Sequence, residues 1–256
     1  MNNNILAIIP ARYESSRFPG KPLAIINGKP MIQRVYEQTI KAFDNVCVAT
    51  DDQRIADAVN SFGGKVVMTS SSHNSGTDRC LEALMKRMEE SGANYDVVIN
   101  VQGDEPYIRP EQLRELADCF NDSDVRIATL VKKINTKEEV DNPNSPKVIL
   151  DINNNAIYFS RTPIPFARGN EMNDNFIKES RYFKHIGLYG YRSSVLVEIC
   201  ALPQSYLEKT EKLEQLRWLE NGYKIRVAET EFETQAVDTP QDMEYLNSHE
   251  ALFTKK

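Results

Sequence analysis

Several chemistries are excluded by what this chain has little of. Its four cysteines, Cys47, Cys80, Cys119 and Cys200, form no CxxC pair and no zinc-ligand cluster, so reduced structural thiols are expected. Its three histidines, His73, His185 and His249, give neither HExxH nor a pair at helical spacing. Any metal should then be a hard cation held by carboxylates. No apolar run approaches the roughly 18 residues of a membrane span; Ile5 to Ile9 is among the longest. Cations are outnumbered, 31 Lys and Arg against 37 Asp and Glu, for a net charge of −6. That balance argues against a general binder of nucleic acid or anionic membranes, and an anionic ligand must meet a local basic site. Neither GxGxxG nor GxxxxGK[ST] occurs, so a dinucleotide fingerprint and a Walker loop are both absent. The polar start, Met1 to Asn4, has no basic region or cleavage site for export, and the expected address is cytoplasmic.

What is present is enough chain, 256 residues, for one α/β domain with a sizeable insertion or two fused halves. Short apolar runs at Ile5–Ile9, Val46–Ala49, Lys65–Met68 and Val97–Val101 read as buried strands. Between and after them, Pro30–Phe43, Asp52–Phe62, Thr77–Ser91 and Pro110–Asn121 carry apolar residues at helical spacing, with proline where a helix begins. This βαβα rhythm predicts a parallel sheet covered on both faces. After about Asp124 the rhythm changes. Arg126–Val131, Val148–Asp151, His185–Arg192 and Lys224–Ala228 read as strands, with Lys132–Pro146 a polar connection and Arg168–Asn175 loop-like. Leu207–Asn221 predicts one amphipathic helix ended by Gly222, and Pro240–Glu250 a terminal one.

The first strand runs into a loop carrying Arg12, Arg17 and Lys21, a concentrated positive site in an acidic chain. Open α/β sheets bind ligands at the carboxyl ends of their strands, and Arg forks with a Lys suit phosphate oxygens. A solvated surface loop has the same composition. The fourth strand ends in Gln102-Gly103-Asp104, where a turn through glycine would hold Asp104 for a cation bridging carboxylate and phosphate. A plain helix cap would look alike. Asp238, late in the chain, is a candidate second carboxylate, although it or Thr239 could cap the helix opening at Pro240. Ser75 and Arg79 could offer donors to a base or phosphate, or simply begin a helix. His185 and Tyr189, four apart on a strand, share one sheet face. Periodicity does not single out Glu214 or Gln215.

Taken together, the strings IPARYESSRFPGKPL (Ile9 to Leu23), VATDD (Val48 to Asp52), HNSGTDR (His73 to Arg79), NVQGDEP (Asn100 to Pro106) and NPNSPKVILD (Asn142 to Asp151) resemble the 3-deoxy-D-manno-octulosonate cytidylyltransferase (CMP-Kdo synthetase) family. So do YFSRTPIP (Tyr158 to Pro165), FKHIGLYGYR (Phe183 to Arg192), LEQLRWLENGYKI (Leu213 to Ile225) and VDTPQD (Val237 to Asp242). The family commonly has Leu where Phe18 stands and Thr-Glu-Arg where Thr77-Asp78-Arg79 stands.

The resemblance implies a mostly parallel, Rossmann-like nucleotidyltransferase sheet covered by helices, with a smaller sugar-binding and dimerisation subdomain. Residues 1–125 would mainly bind CTP, and 126–235 would mainly form the sugar pocket and dimer surface, within a single nucleotidyltransferase domain. It implies a cytoplasmic homodimer that activates the acidic eight-carbon sugar Kdo with CTP for lipopolysaccharide assembly, releasing diphosphate. Arg12, Arg17, Lys21, Ser75, Arg79 and Gln102 would hold the nucleotide, and Gln102, Arg161, His185, Tyr189, Glu214 and Gln215 the sugar. Asp104 and Asp238 would carry Mg²⁺ and, with Lys21, do the catalytic work. The same reaction on 8-amino-Kdo or another nonulosonic acid is an alternative. Relatives acting on sialic acid usually show a Gly- and Ser-rich first loop that Tyr13-Glu14-Ser15-Ser16-Arg17 does not match. A sugar-1-phosphate nucleotidylyltransferase and a glycosyltransferase share the architecture, the latter wanting Asp-x-Asp where Gln102-Gly103-Asp104 stands. A non-catalytic nucleotide-binding module is the rival of another class; it requires that the two carboxylates be unable to share a metal.

Overall fold

The computed structural model describes residues 4–14, 17–169 and 171–249. Ser15 and Ser16 of the first loop, and Glu250 at the expected end of the last helix, lie outside the described residues. Two compact units divide the chain: Met1–Arg114 with Thr234–Lys256, and Glu115–Glu233.

The first unit is built on β1 (Ile5–Ala11), β2 (Val46–Thr50), β3 (Val66–Met68) and β4 (Val97–Asn100), with α1 (Met31–Thr39), α2 (Gln53–Ser61) and α3 (Gly76–Ser91) between successive strands. The strands are parallel in the order β3-β2-β1-β4, with Ala7 opposite Val46 and Ile5 opposite Val97. Their continuous apolar character follows from burial on both faces: Leu6 to Ile9, Val46 to Ala49 and Val97 to Ile99 are all buried. Parallel order places every strand's carboxyl end on one edge, so the loops after β1 and β4 gather there.

The second unit follows α4 (Pro110–Asp118), which runs across the boundary. It holds β5 (Ile127–Lys133), α5 (Lys137–Asp141), β6 (Lys147–Leu150), β7 (Ala156–Ser160), α6 (Asp174–Glu179), β8 (Phe183–Arg192), α7 (Ser193–Cys200), α8 (Tyr206–Glu211), α9 (Gln215–Glu220) and β9 (Ile225–Glu229). Here pairing is mixed: β9 is parallel to β5, while β5 with β8, β8 with β6 and β6 with β7 are antiparallel. Ser205 forms a capping box with Glu208 at the start of α8.

Three expectations need correction. The single helix over 207–221 is two, because Lys212 ends α8 with φ of 56°, the left-handed region that favours glycine. The polar connection contains α5, capped by Thr136, whose side chain accepts from the Glu139 amide. The loop-like stretch gives way to α6, capped by Asn173. Strand β7 and helix α7 had no counterpart in the sequence reading.

The chain then returns to the first unit, where α10 (Pro240–Ser248) is the last helix among the described residues. Val237 and Leu246 are fully buried there with Ile26, Met31 and Tyr107, and Phe18 and Met243 pack against them. Among the described residues the cysteines form no disulfide, and no helix is long and apolar enough to cross a membrane.

Candidate active site

At the carboxyl edge of the first unit's sheet lies a cavity of about 290 Å³ lined by Arg12, Arg17, Lys21, His73, Ser75, Arg79, Gln102, Asp104 and Asp238. Every nucleotide and metal residue expected from the sequence is on its wall.

Local structure explains how each arrives. After β1 the chain folds back on itself: the Gly20 amide donates to the Tyr13 carbonyl at 2.8 Å, and Gly20 takes a left-handed φ of 73°. The Tyr13 ring covers Gly20 so closely that a Cβ there would stand 3.1 Å from it, and Arg54 stacks on the ring at 3.3 Å. Lys21 follows directly. Gly103 is required for a different reason, since a Cβ would come within 2.8 Å of the Pro10 carbonyl oxygen. Only glycine lets the turn after β4 approach the end of β1, and that approach carries Asp104 to Lys21. Asp238 comes from the opposite end of the sequence. Burial of Val237 and a 2.9 Å bond from its amide to the Asp104 carbonyl fasten the two acidic segments together. Thr239, not Asp238, caps α10, in a capping box with Asp242, which leaves the Asp238 carboxylate available.

The outcome is a shared cation. Lys21 Nζ lies 2.8 Å from Asp104 Oδ2 and 3.4 Å from Asp238 Oδ1, and Arg17 reaches the same Asp238 oxygen at 3.0 Å. Two carboxylates therefore converge on one positive point. Asp104 and Asp238 are the residues there that could offer carboxylate oxygens to a hard divalent ion. Among the described residues no cluster of three or more His, Cys, Asp or Glu could hold a metal.

Helix α3 points its N-terminus at the cavity, where amides and dipole favour anions. Ser75 is its cap, accepting from the Asp78 amide at 3.1 Å, so the hydroxyl is already engaged in starting the helix. Arg79 is buried, donating to Thr69 Oγ1 at 2.6 Å and pairing with Asp51 at 3.4 Å. Arg12 is exposed on the rim.

Two neighbours of the site escaped the sequence reading. Glu82 pairs with His73 and accepts from the Ser70 amide and from Lys86, each at 2.8 Å. Burial pushes its carboxyl up, but the bonds from Lys86, Ser70 and His73 outweigh it and hold the group down at about 2. Glu105 is buried and pushed up to about 7 by loss of solvent, with the Asp104 charge adding to the effect and a 2.7 Å bond from Thr234 opposing it. Glu82 lies outside every motif, as an ordinary acid on a helix face; Glu105 lies within the NVQGDEP string, but an acid after a turn is ordinary and signals no role.

The expected sugar residues other than Gln102 lie in the second unit. The His185 and Tyr189 rings pack 5.3 Å apart, tilted by 48°, with Phe159 5.2 Å from His185 and Trp218 5.0 Å from Tyr189. Regular strand residues four apart would be about 13 Å apart. A bulge between Ile186 and Tyr189 closes that distance. Burial pushes the His185 ring down to about 3 and the Tyr189 phenol well up. Gln215 opens α9 with its amide nitrogen buried and without a hydrogen-bond partner among the described residues, and Glu214 precedes it as the cap. Arg161 is committed to backbone, donating to the carbonyls of Glu211 at 2.7 Å, Pro143 at 3.0 Å and Lys212 at 3.4 Å. Part of its fork remains for a ligand.

A cytidylyltransferase family model matches residues 6–225. The 3-deoxy-manno-octulosonate cytidylyltransferase of Parabacteroides distasonis is 58% identical over 243 residues, covering 93% of this chain and 95% of that protein. The protein of the same name from Bacteroides thetaiotaomicron is 57% identical, with 94% and 95% covered. Among solved structures, CMP:2-keto-3-deoxy-manno-octonic acid synthetase complexed with CTP superposes with a TM-score of 0.87 at 42% identity, covering 97% of this chain and 98% of that one. A cytidylyltransferase from Leptospira borgpetersenii, at 18% identity and a TM-score of 0.64, shares the fold.

Proposed function

We propose, from the premise that this chain belongs to the 3-deoxy-manno-octulosonate cytidylyltransferase family, how its residues divide the work of making CMP-Kdo and diphosphate from CTP and Kdo. The observation that carries the proposal is the convergence of Asp104 and Asp238 on Lys21.

In the reaction the sugar's anomeric 2-hydroxyl attacks the α-phosphorus of CTP in line and diphosphate leaves, so no protein nucleophile is needed. The difficulty is electrostatic, because a sugar carboxylate must approach a triphosphate. Arg12, Arg17 and Lys21, with the N-terminus of α3, answer it by neutralising the phosphates. Asp104 and Asp238 would hold Mg²⁺, which when bound supplies charge neutralisation at the phosphates and polarises the attacking hydroxyl. Lys21, held between the two acids, is then placed to pass to the phosphates as CTP enters. Arg79 and Ser75 fix the nucleotide end of the cavity. Gln102, Arg161, His185, Tyr189, Glu214 and Gln215 would hold the sugar acid, with Arg161 the partner of its carboxylate. Residues 1–125 would mainly bind CTP and 126–235 mainly form the sugar pocket and dimer surface of a cytoplasmic homodimer serving lipopolysaccharide assembly.

Diphosphate release measured with each nucleoside triphosphate against Kdo, 8-amino-Kdo and sialic acid, with and without Mg²⁺, tests the reading. The expected signal needs CTP, Kdo and the metal together; signal with sialic acid and none with either octulosonate would sink it. Asp104→Asn should abolish turnover at saturating Mg²⁺ with an unchanged circular dichroism spectrum. Near-normal activity in that variant would remove the metal role.

A further inference from the structure

Thr129 lies within β5, fully buried, opposite the bulge of β8. The bulge turns two carbonyls toward it: Thr129 Oγ1 is 2.7 Å from the Leu188 oxygen and 3.2 Å from the Ile186 oxygen. The same hydroxyl is 3.0 Å from His185 Nε2. A hydroxyl has one proton, and a carbonyl has none to offer. Two oxygens rest at 2.7 Å only with a proton between them, so the Thr129 hydrogen points to Leu188. Oγ1 then faces His185 with a lone pair, and Nε2 must carry the ring hydrogen. Nδ1 makes no hydrogen bond among the described residues.

We propose that Thr129 is a positioning residue for the sugar acid: it fixes His185 as the Nε2–H tautomer, so that Nδ1 is an acceptor for a hydroxyl of the substrate. The proposal rests on the reading that His185 lines the sugar site. Its surroundings favour a neutral ring, with Phe159 and Tyr189 as aromatic walls and burial opposing charge. An imidazolium donating to the sugar carboxylate would have to hold its charge against that burial. A neutral acceptor instead selects a donor, which the sugar supplies as a hydroxyl and not as its carboxylate. The bulge thus has two effects: it brings His185 and Tyr189 together, and it supplies the Leu188 carbonyl that accepts Thr129's hydrogen bond.

The test joins spectroscopy to a substrate-specific kinetic split. In the ¹⁵N spectrum of the wild-type protein, which has three histidines, His185 should show a protonated Nε2 and an unprotonated Nδ1, with and without Kdo. Thr129→Val should raise KM for Kdo about tenfold and leave KM for CTP within about twofold, while Thr129→Ser, which keeps the hydroxyl, should restore the Kdo value. A proton on Nδ1 of wild-type His185, or a Thr129→Val enzyme with both KM values unchanged, overturns the proposal. If the valine variant does not fold, the wild-type spectrum and the serine variant decide. Wild-type enzyme that releases no diphosphate from CTP and Kdo would instead overturn the assignment of the reaction, and with it the sugar as partner, while the tautomer stays readable.

Discussion

Lys21 stands between two carboxylates that are distant in the chain, one near its middle and one late, and its removal leaves them facing each other. Lys21→Ala should lower kcat/KM by about 10²- to 10³-fold, through loss of a cation aimed at the triphosphate. Single-turnover measurement at saturating CTP checks this: a loss confined to KM for CTP would make Lys21 a binding group only. Glu82 has a separate signature. Its folded carboxyl sits at about 2 against an ordinary 4.5. A depressed folded value stabilises the protein above the unfolded value, and that stability is lost as pH falls through the folded one. Glu82→Gln should therefore cost about 1 to 2 kcal/mol near neutrality. The gap between wild type and variant should shrink from pH 4.5 toward pH 2 in denaturant titrations. A gap that widens on acidification would refute the assignment. In the sequence the first-loop cations stood out because they are concentrated in an acidic chain, whereas Glu82 did not, because only packing puts its carboxylate against Ser70, His73 and Lys86.

At the scale of elements, the turn after β4 shapes the cavity of the first unit, and the α8–α9 corner places Gln215 within the second. Gly103→Ala places a methyl 2.8 Å from the Pro10 carbonyl, with backbone on both sides unable to yield cheaply. A cost of about 1 to 3 kcal/mol is expected, together with a loss of activity greater than the stability loss explains, because Asp104 moves with the turn. Gly92→Ala, at φ of 65° with open space around it, should cost about 1 kcal/mol and leave activity intact, and thermal melts with turnover assays on both variants make the comparison. In the corner, Arg217 forms a bidentate pair with Glu208 at 2.5 and 2.8 Å, both side chains 8% exposed. Glu208→Gln removes the nearer carboxylate and leaves Arg217 with Glu214 at 3.6 Å and the Leu202 carbonyl, so a loss of about 1 to 3 kcal/mol is expected by chemical denaturation. The strands of the first unit were legible because burial on both faces makes them continuously apolar. The break between α8 and α9 was not, because Lys212 takes a conformation that glycine would have announced.

For the molecule as a whole, Lys21 and the bond from the Val237 amide to the Asp104 carbonyl tie the two acidic segments together, so a metal held there as proposed should not carry stability. Chelation should abolish turnover yet leave the melting temperature of the nucleotide-free protein unchanged within about a degree. A large drop in that temperature would make the ion a structural one. By itself the sequence determined the parallel α/β core, the loop of cations, the two acids worth watching and, through its ordered motifs, the family. These are local properties, written in apolar runs, turn residues and short strings. Only the tertiary structure decided that Asp104 and Asp238 converge on one ammonium, that Thr239 and not Asp238 caps the last helix, and that a bulge brings His185 against Tyr189 and Thr129. Such facts depend on which distant segments the buried core brings together, and distances across a folded chain leave no mark on the spacing along it.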